Sequence, residues 1–251
     1  MTTKIVTTGK TTIIGGRNQG NFALTSSTQI ITKTGKVVSR GNKVDIVFVI
    51  DTTGSMNDKI EGLLWTCGQF VDEAKNMDLD ANFALVSFGD VSVVGGGDTI
   101  DTVVPLTENL EKIKYGLTHI PRNKGFGNEG ETPFEAIQQA LKLEYRSNAV
   151  KVLILITDEP AIQREITATS ITNRLANLEF LVFVIATEDE YYKNMAHKNG
   201  GVWKGISADT NLSEILEIFR EMAKKVSSIA KDVHLLGEGS VKEYLKLKAP
   251  D

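Results

Sequence analysis

The sequence predicts an α/β protein: an open, mostly parallel central sheet of the Rossmann-like kind, with helices on both faces and a small β-rich segment at the N-terminus. Three observations predict it. Apolar runs of strand length recur along the chain, led by "VDIVFVID" (44–51), which is apolar almost throughout, as a strand buried on both faces must be. Segments of helical period separate these runs. Two of the runs, 44–51 and "AVKVLILITDEP" (149–160), carry an aspartate where the apolar stretch stops. Strands alternating with helices over about 190 residues imply a parallel sheet covered on both sides.

The elements follow in order. Residues 1–43 hold ten threonines, Gly-Gly at 15–16 and short alternations such as "KIVTT" and "KVVSRG", which predict small strands joined by turns. After strand 44–51, Ile60, Leu63, Leu64, Cys67, Phe70, Val71 and Ala74 recur at helical spacing. "ANFALVSFG" (81–89) is the next strand, and "TIDTVVPLT" (99–107) alternates as an edge strand does. "ENLEKIKYGLTHI" (108–120) reads as a helix with Leu110, Ile113 and Leu117 inward. A Gly-rich loop, 121–131, leads to "TPFEAIQQALKLEYR", where Thr132, Pro133 and Glu135 form the pattern of an N-cap, a first helical residue and a capping box. Strand 149–156 is followed by a polar helix over 162–177, strand 179–187, a short helix over 189–198 and a last strand, "GVWKGIS" (201–207). Residues 211–233 form a long amphipathic helix with Leu212, Ile215, Leu216, Phe219, Met222, Val226 and Ile229 on one face. Residues 234–251 are a tail with one helical turn expected at 240–247.

Composition narrows the class. The chain has 251 residues, is 41 % hydrophobic and 24 % charged, and so has enough apolar residues to build a core without staples. Its one cysteine, Cys67, falls in phase with core positions and has no internal disulfide partner. No secretory leader pattern opens the sequence and no stretch of 18 apolar residues occurs, so a soluble, cytoplasmic protein that does not span a membrane is expected. The net charge of −4 is unevenly spread: residues 1–43 carry seven basic and no acidic side chains, leaving 21 basic against 32 acidic, or −11, in residues 44–251.

In open α/β sheets, ligands lie beyond the carboxyl ends of the strands, where the strand order reverses. If strands 44–51 and 149–156 are neighbours, Asp51 and Asp158 face each other there. Thr53 and Ser55 follow Asp51 at alternate positions and point the same way from an extended loop. Thr132, at a helix start after a Gly-rich loop, can bring a third hydroxyl. Two carboxylates and three hydroxyls suit a hard cation, Mg²⁺ first, with Mn²⁺ or Ca²⁺ meeting the same donors. Zinc is disfavoured, because His119, His197 and His234 are scattered.

"DTTGSM" after an apolar strand, a threonine after a Gly-rich loop and "ILITDEP" at a later strand resemble the von Willebrand factor A-type (vWA) domain family over about residues 44–230. That family carries a metal-ion-dependent adhesion site (MIDAS), D-x-[S/T]-x-S with a distant Thr and a distant Asp. All five positions are filled here, by Asp51, Thr53, Ser55, Thr132 and Asp158. The wording "DIVFVIDTTGSM" is closer to intracellular and bacterial members than to integrin inserted domains. The resemblance implies a vWA domain at 44–233 after the basic Thr-rich segment 1–43. It also implies that Thr53 and Ser55 contact the metal, that Thr132 does so directly or through water, and that Asp51 and Asp158 act largely through water. An open position would then accept an Asp or Glu carboxylate from a partner protein. Similar bacterial domains work beside AAA-type ATPases and other assembly components. Two departures stand out: threonine at the first hydroxyl, and "TDEP" in place of "TDG", which sets Glu159 beside the site.

The expected function is a metal-dependent protein-interaction module, not an enzyme. One alternative is a Mg²⁺-dependent phosphohydrolase, which would place a second aspartate where Thr53 stands. The other is a scaffold that assembles through residues 1–43. "GKTT" (9–12) lacks the earlier glycine of a phosphate-binding loop. Phe22 is the only aromatic residue of the basic segment, which disfavours nucleic acid as a partner. Asp90, at another strand end, reads as a turn residue. Trp65 and Trp203 read as core or half-buried, and one of Tyr191 and Tyr192 is expected to face solvent.

Overall fold

The computed structural model describes residues 3–7, 10–14, 29–31, 37–39, 43–76, 79–126, 130–206, 212–235 and 241. Its organising strand is β5 (Lys43–Asp51), buried from Val44 to Asp51. Alternate residues of β5 feed two separate cores. Val44, Ile46, Phe48 and Ile50 face one side of the sheet, and Val47 and Val49 the other. This two-sided burial is why the run shows no polar alternation.

Six strands form the central sheet in the order β10-β9-β8-β5-β6-β7. They are β6 (Asp80–Phe88), β7 (Ile100–Thr107), β8 (Val150–Ile156), β9 (Phe180–Ala186) and β10 (Trp203–Gly205) around β5. All pairs are parallel except β6 with β7, so the edge strand expected at 99–107 runs antiparallel. A second, antiparallel sheet comprises β1 (Thr3–Thr7), β2 (Lys10–Ile14), β3 (Gln29–Ile31) and β4 (Val37–Ser39), in the order β2-β1-β3-β4.

Helices α1 (Asn57–Asn76), α2 (Leu110–Thr118) and α6 (Leu212–Leu235) cover one face of the central sheet. Phe70 of α1 meets Phe48 and Phe219 edge to face, at centroid separations of 5.7 and 6.0 Å, tying strand to both helices. Helices α3 (Pro133–Ala140), α4 (Ala168–Asn177) and α5 (Glu190–Lys198) cover the other face. Cys67 is buried, and burial pushes its thiol well up, as for a core residue. No helix among the described residues is long and apolar enough to cross a membrane.

Several sequence expectations need correction. The helix expected to run on through "LKLEYR" stops at Ala140, because the following segment turns away to the amino end of the sheet. There Arg146 binds the buried Asp45 through Nε at 2.7 Å and Asp80 through Nη1 at 2.6 Å. Helix α4 starts at Ala168, not near 162, because Thr167 and Ser170 form a reciprocal capping box. Trp65 is 53 % exposed: the helical phase that buries Leu64 and Cys67 turns it outward. Tyr192 is buried and Tyr191 half-buried, so neither faces open solvent. The last strand is limited to Trp203–Gly205. The helical turn expected at 240–247 lies outside the described residues except for Val241.

Candidate metal centre

Strand order places the site. The chain runs from β5 outward through β6 and β7, then returns to the other side of β5 as β8. The reversal falls between β5 and β8, whose carboxyl ends carry Asp51 and Asp158. One step beyond the Ile50–Ile156 pair, the Thr157 hydroxyl donates to Asp51 Oδ2 at 2.7 Å.

From Asp51 a chain of oxygen atoms crosses the crevice. Asp51 Oδ1 accepts from the Thr53 backbone N–H at 2.9 Å and from Thr53 Oγ1 at 2.7 Å. Thr53 Oγ1 lies 3.2 Å from Ser55 Oγ, and Ser55 Oγ donates to Asp158 Oδ1 at 2.9 Å. Thr53 stands at the N-cap of the short 3₁₀ turn Gly54–Met56, but its side chain makes no cap bond there and is turned to Asp51 instead. The Lys59 ammonium closes the far end, 2.8 Å from Asp158 Oδ2.

Neighbouring loops hold this chain in place. Asn123 donates from its backbone to the Thr52 carbonyl and from Nδ2 to Thr52 Oγ1, both at 3.0 Å. Asp98 in turn accepts from the backbone N–H groups of Lys124 and Gly125, at 2.9 and 3.0 Å. Gly89 is required where these loops meet: a Cβ there would lie 2.6 Å from both Asn123 and Asp98. The loop after β8 is fixed from the other side, with Tyr192 donating to the Glu159 carbonyl at 3.1 Å.

Thr132 is placed differently from the other four. Its hydroxyl does not cap α3, and the capping box read from Thr132 and Glu135 does not form. Instead Thr132 Oγ1 donates to the Gly89 carbonyl at 2.6 Å and accepts from the Val91 N–H at 3.2 Å. It sits at the carboxyl end of β6, outside the hydrogen-bonded chain that joins Asp51, Thr53, Ser55 and Asp158. Asp90 is fully buried, and its Oδ1 accepts from Ser92 N at 2.8 Å, the turn role expected of it.

Sequence reading missed Glu131. It is 5 % exposed, lies within the field of Asp51, Asp90 and Asp98, and leaves Oε2 without a partner among the described residues. Its backbone is pinned to the loop after β8: its N–H donates to Pro160 at 2.9 Å and its carbonyl accepts from Ile162 at 2.8 Å. Burial, then the charges of Asp51, Asp90 and Asp98, push its carboxyl up to about 8. Burial also raises Asp51, to about 6, against the lowering effect of its bonds to Thr53 and Thr157. The missed signal was a carboxylate immediately before Thr132.

These residues fit a hard cation. Two carboxylates, Asp51 and Asp158, and two hydroxyls, Thr53 and Ser55, are joined across one crevice, and none of these donors is nitrogen or sulfur. No cluster of three or more His, Cys, Asp or Glu side chains in a metal-holding arrangement occurs among the described residues, so the hydroxyls are essential to any such site.

Fold and site together define an α/β protein with an oxygen-donor centre at a topological switch point. The chain belongs to the von Willebrand factor type A domain family, whose profile matches residues 45–220. Among solved structures it is similar to the SpRpn10 VWA domain, with 15% sequence identity and a TM-score of 0.55 over 70% of this chain and 95% of that chain. That likeness is one of fold. A comparison with curated protein sequences finds no match.

Proposed function

We propose that this protein is a metal-dependent interaction module that binds a partner's Asp or Glu carboxylate through a divalent cation, Mg²⁺ first. Asp51, Thr53, Ser55 and Asp158 would hold the cation, with Thr132 and Glu131 at its margin. The observation that carries this reading is the oxygen chain running from Asp51 to Asp158 across the β5–β8 crevice. Bound there, the cation would supply an open position for an anionic oxygen. The residues supply the rest: Thr157 and the Thr53 backbone orient Asp51, and the Asn123 and Asp98 loops keep Thr53 and Ser55 facing the crevice.

The phosphohydrolase reading is weaker. Asp51 is fully buried and both of its oxygens are engaged by Thr53 and Thr157, a poor setting for a nucleophile. An AAA-type ATPase or another assembly component is the kind of partner the family resemblance suggests.

The test is a calorimetric titration of Mg²⁺ and Mn²⁺ into metal-stripped protein, beside Asp158→Ala. Saturable one-site binding is expected in the wild type, with a loss of at least tenfold in affinity in the variant, since a buried anionic donor is removed. Equal binding by both proteins would move the cation elsewhere, and absence of binding in the wild type and in Lys59→Met alike would remove the metal from the proposal.

A further inference from the structure

Lys59 occupies an unusual place for a cation-binding crevice. It lies four residues beyond Ser55, at the first turn of α1, so its side chain rises beside the same loop. Its ammonium is 2.8 Å from Asp158 Oδ2, with side-chain exposures of only 10% for Lys59 and 8% for Asp158. Asp158 Oδ1 already takes the Ser55 hydroxyl, so both oxygens of this carboxylate are engaged. Glu159, the next residue, also lies within the field of Lys59. The chain thus carries its own cation, tethered to the acidic end of the crevice.

We propose that Lys59 is a built-in competitor for the divalent ion: its ammonium counter-charges Asp158 and must withdraw before that carboxylate can serve a metal. This rests on the metal reading of the site and adds a regulator to it. Two like charges at one shielded carboxylate repel strongly, because little water screens them. The tether also makes the competition intramolecular, so the effective concentration of the ammonium does not depend on the solution. The site would therefore bind Mg²⁺ weakly on its own. It would load fully when a partner's carboxylate adds negative charge and draws the ammonium away.

The experiment titrates Mg²⁺ into metal-stripped, full-length wild type, Lys59→Met, Lys59→Arg and Asp158→Ala. Lys59→Met is expected to bind Mg²⁺ about tenfold more tightly than wild type, and Lys59→Arg about as wild type does, because it keeps the charge. Unchanged or weaker binding in Lys59→Met, with wild-type binding still lost in Asp158→Ala, would overturn the competitor role and leave the metal site standing. No Mg²⁺ binding in either wild type or Lys59→Met would overturn both. A second measurement needs no variant: acylation of lysines in the wild type, mapped by mass spectrometry. Saturating Mg²⁺ should raise labelling of Lys59 several-fold while other lysines stay constant, and unchanged labelling of Lys59 would overturn the proposal.

Discussion

Glu135 shows what a single side chain contributes when its expected bond does not form. The capping-box pattern would have placed its carboxylate on the backbone of Thr132. Instead Oε2 is buried with no partner among the described residues, and burial raises the carboxyl above its ordinary range, with Asp90 and Glu165 adding to the rise and Arg164 opposing it. The sign follows from linkage. A carboxyl whose folded-state pKa is raised binds its proton more tightly when folded. Its stabilisation is complete below the ordinary value of 4.5 and is lost as pH rises through the folded value. Glu135→Gln removes the ionisation and keeps the shape. Its melting temperature should exceed wild type at pH 8 and approach it only below the ordinary value of 4.5. The same difference at pH 8 and below pH 4.5 would show that the carboxyl's charge is not what matters. The same contrast marks what was legible at this scale. Asp51, Thr53, Ser55 and Asp158 stand out because their spacing and strand-end positions are local. Glu131, Thr157 and the partner of Lys59 do not, because each depends on loops distant in sequence meeting at the crevice.

Among elements, the strands were read most fully and the helix limits least. Strands β5, β8 and β9 are largely apolar because both of their faces are covered, and that requirement is written into nearly every residue. The end of α3 and the start of α4 are decided by a few side-chain bonds, from Arg146 to Asp45 and between Thr167 and Ser170. The loop before α3 is set in the same way, at Gly130. Its φ of 127° is one that glycine alone adopts freely, and a Cβ there would lie 2.5 Å from the Pro160 carbonyl oxygen. This contact is what lets Glu131 pair with the loop carrying Asp158 and Glu159. Gly130→Ala should destabilise the protein by about 1–3 kcal/mol through backbone strain and the forced separation of the two loops. It should also weaken Mg²⁺ binding, because Glu131 and Thr132 move with the loop. Urea denaturation and the Mg²⁺ titration check the two effects separately. Lost stability with unchanged metal affinity would mean that Glu131 and Thr132 do not serve the site.

Across the whole molecule, the sheet separates the Arg146 ion-pair network at one end from the candidate site at the other. At the amino ends of β5 and β6, Arg146 bonds to both Asp45 oxygens, to Asp80 and to the Val44 and Asp80 carbonyls. Asp45 is fully buried, so removing Arg146 leaves its charge unpaired away from water. Arg146→Ala should cost about 3–5 kcal/mol of unfolding free energy. At the carboxyl ends, Asp158→Ala removes the partner of Ser55 and Lys59 but leaves the strand pairing of β8 intact. About 20 Å of strand separates Asp45 from Asp51, well beyond the range at which substitutions couple directly. The double variant should therefore lose the sum of the single losses to within about 0.5 kcal/mol. Arg146→Ala alone should keep wild-type Mg²⁺ affinity. Coupling beyond that margin, or a changed Mg²⁺ affinity in Arg146→Ala, would mean that β5 transmits strain along its length and that the two ends form one unit. Additivity would show that the apolar interior of the sheet insulates the crevice, so that changes at Thr53, Ser55, Lys59 and Asp158 do not loosen the opposite end of the fold.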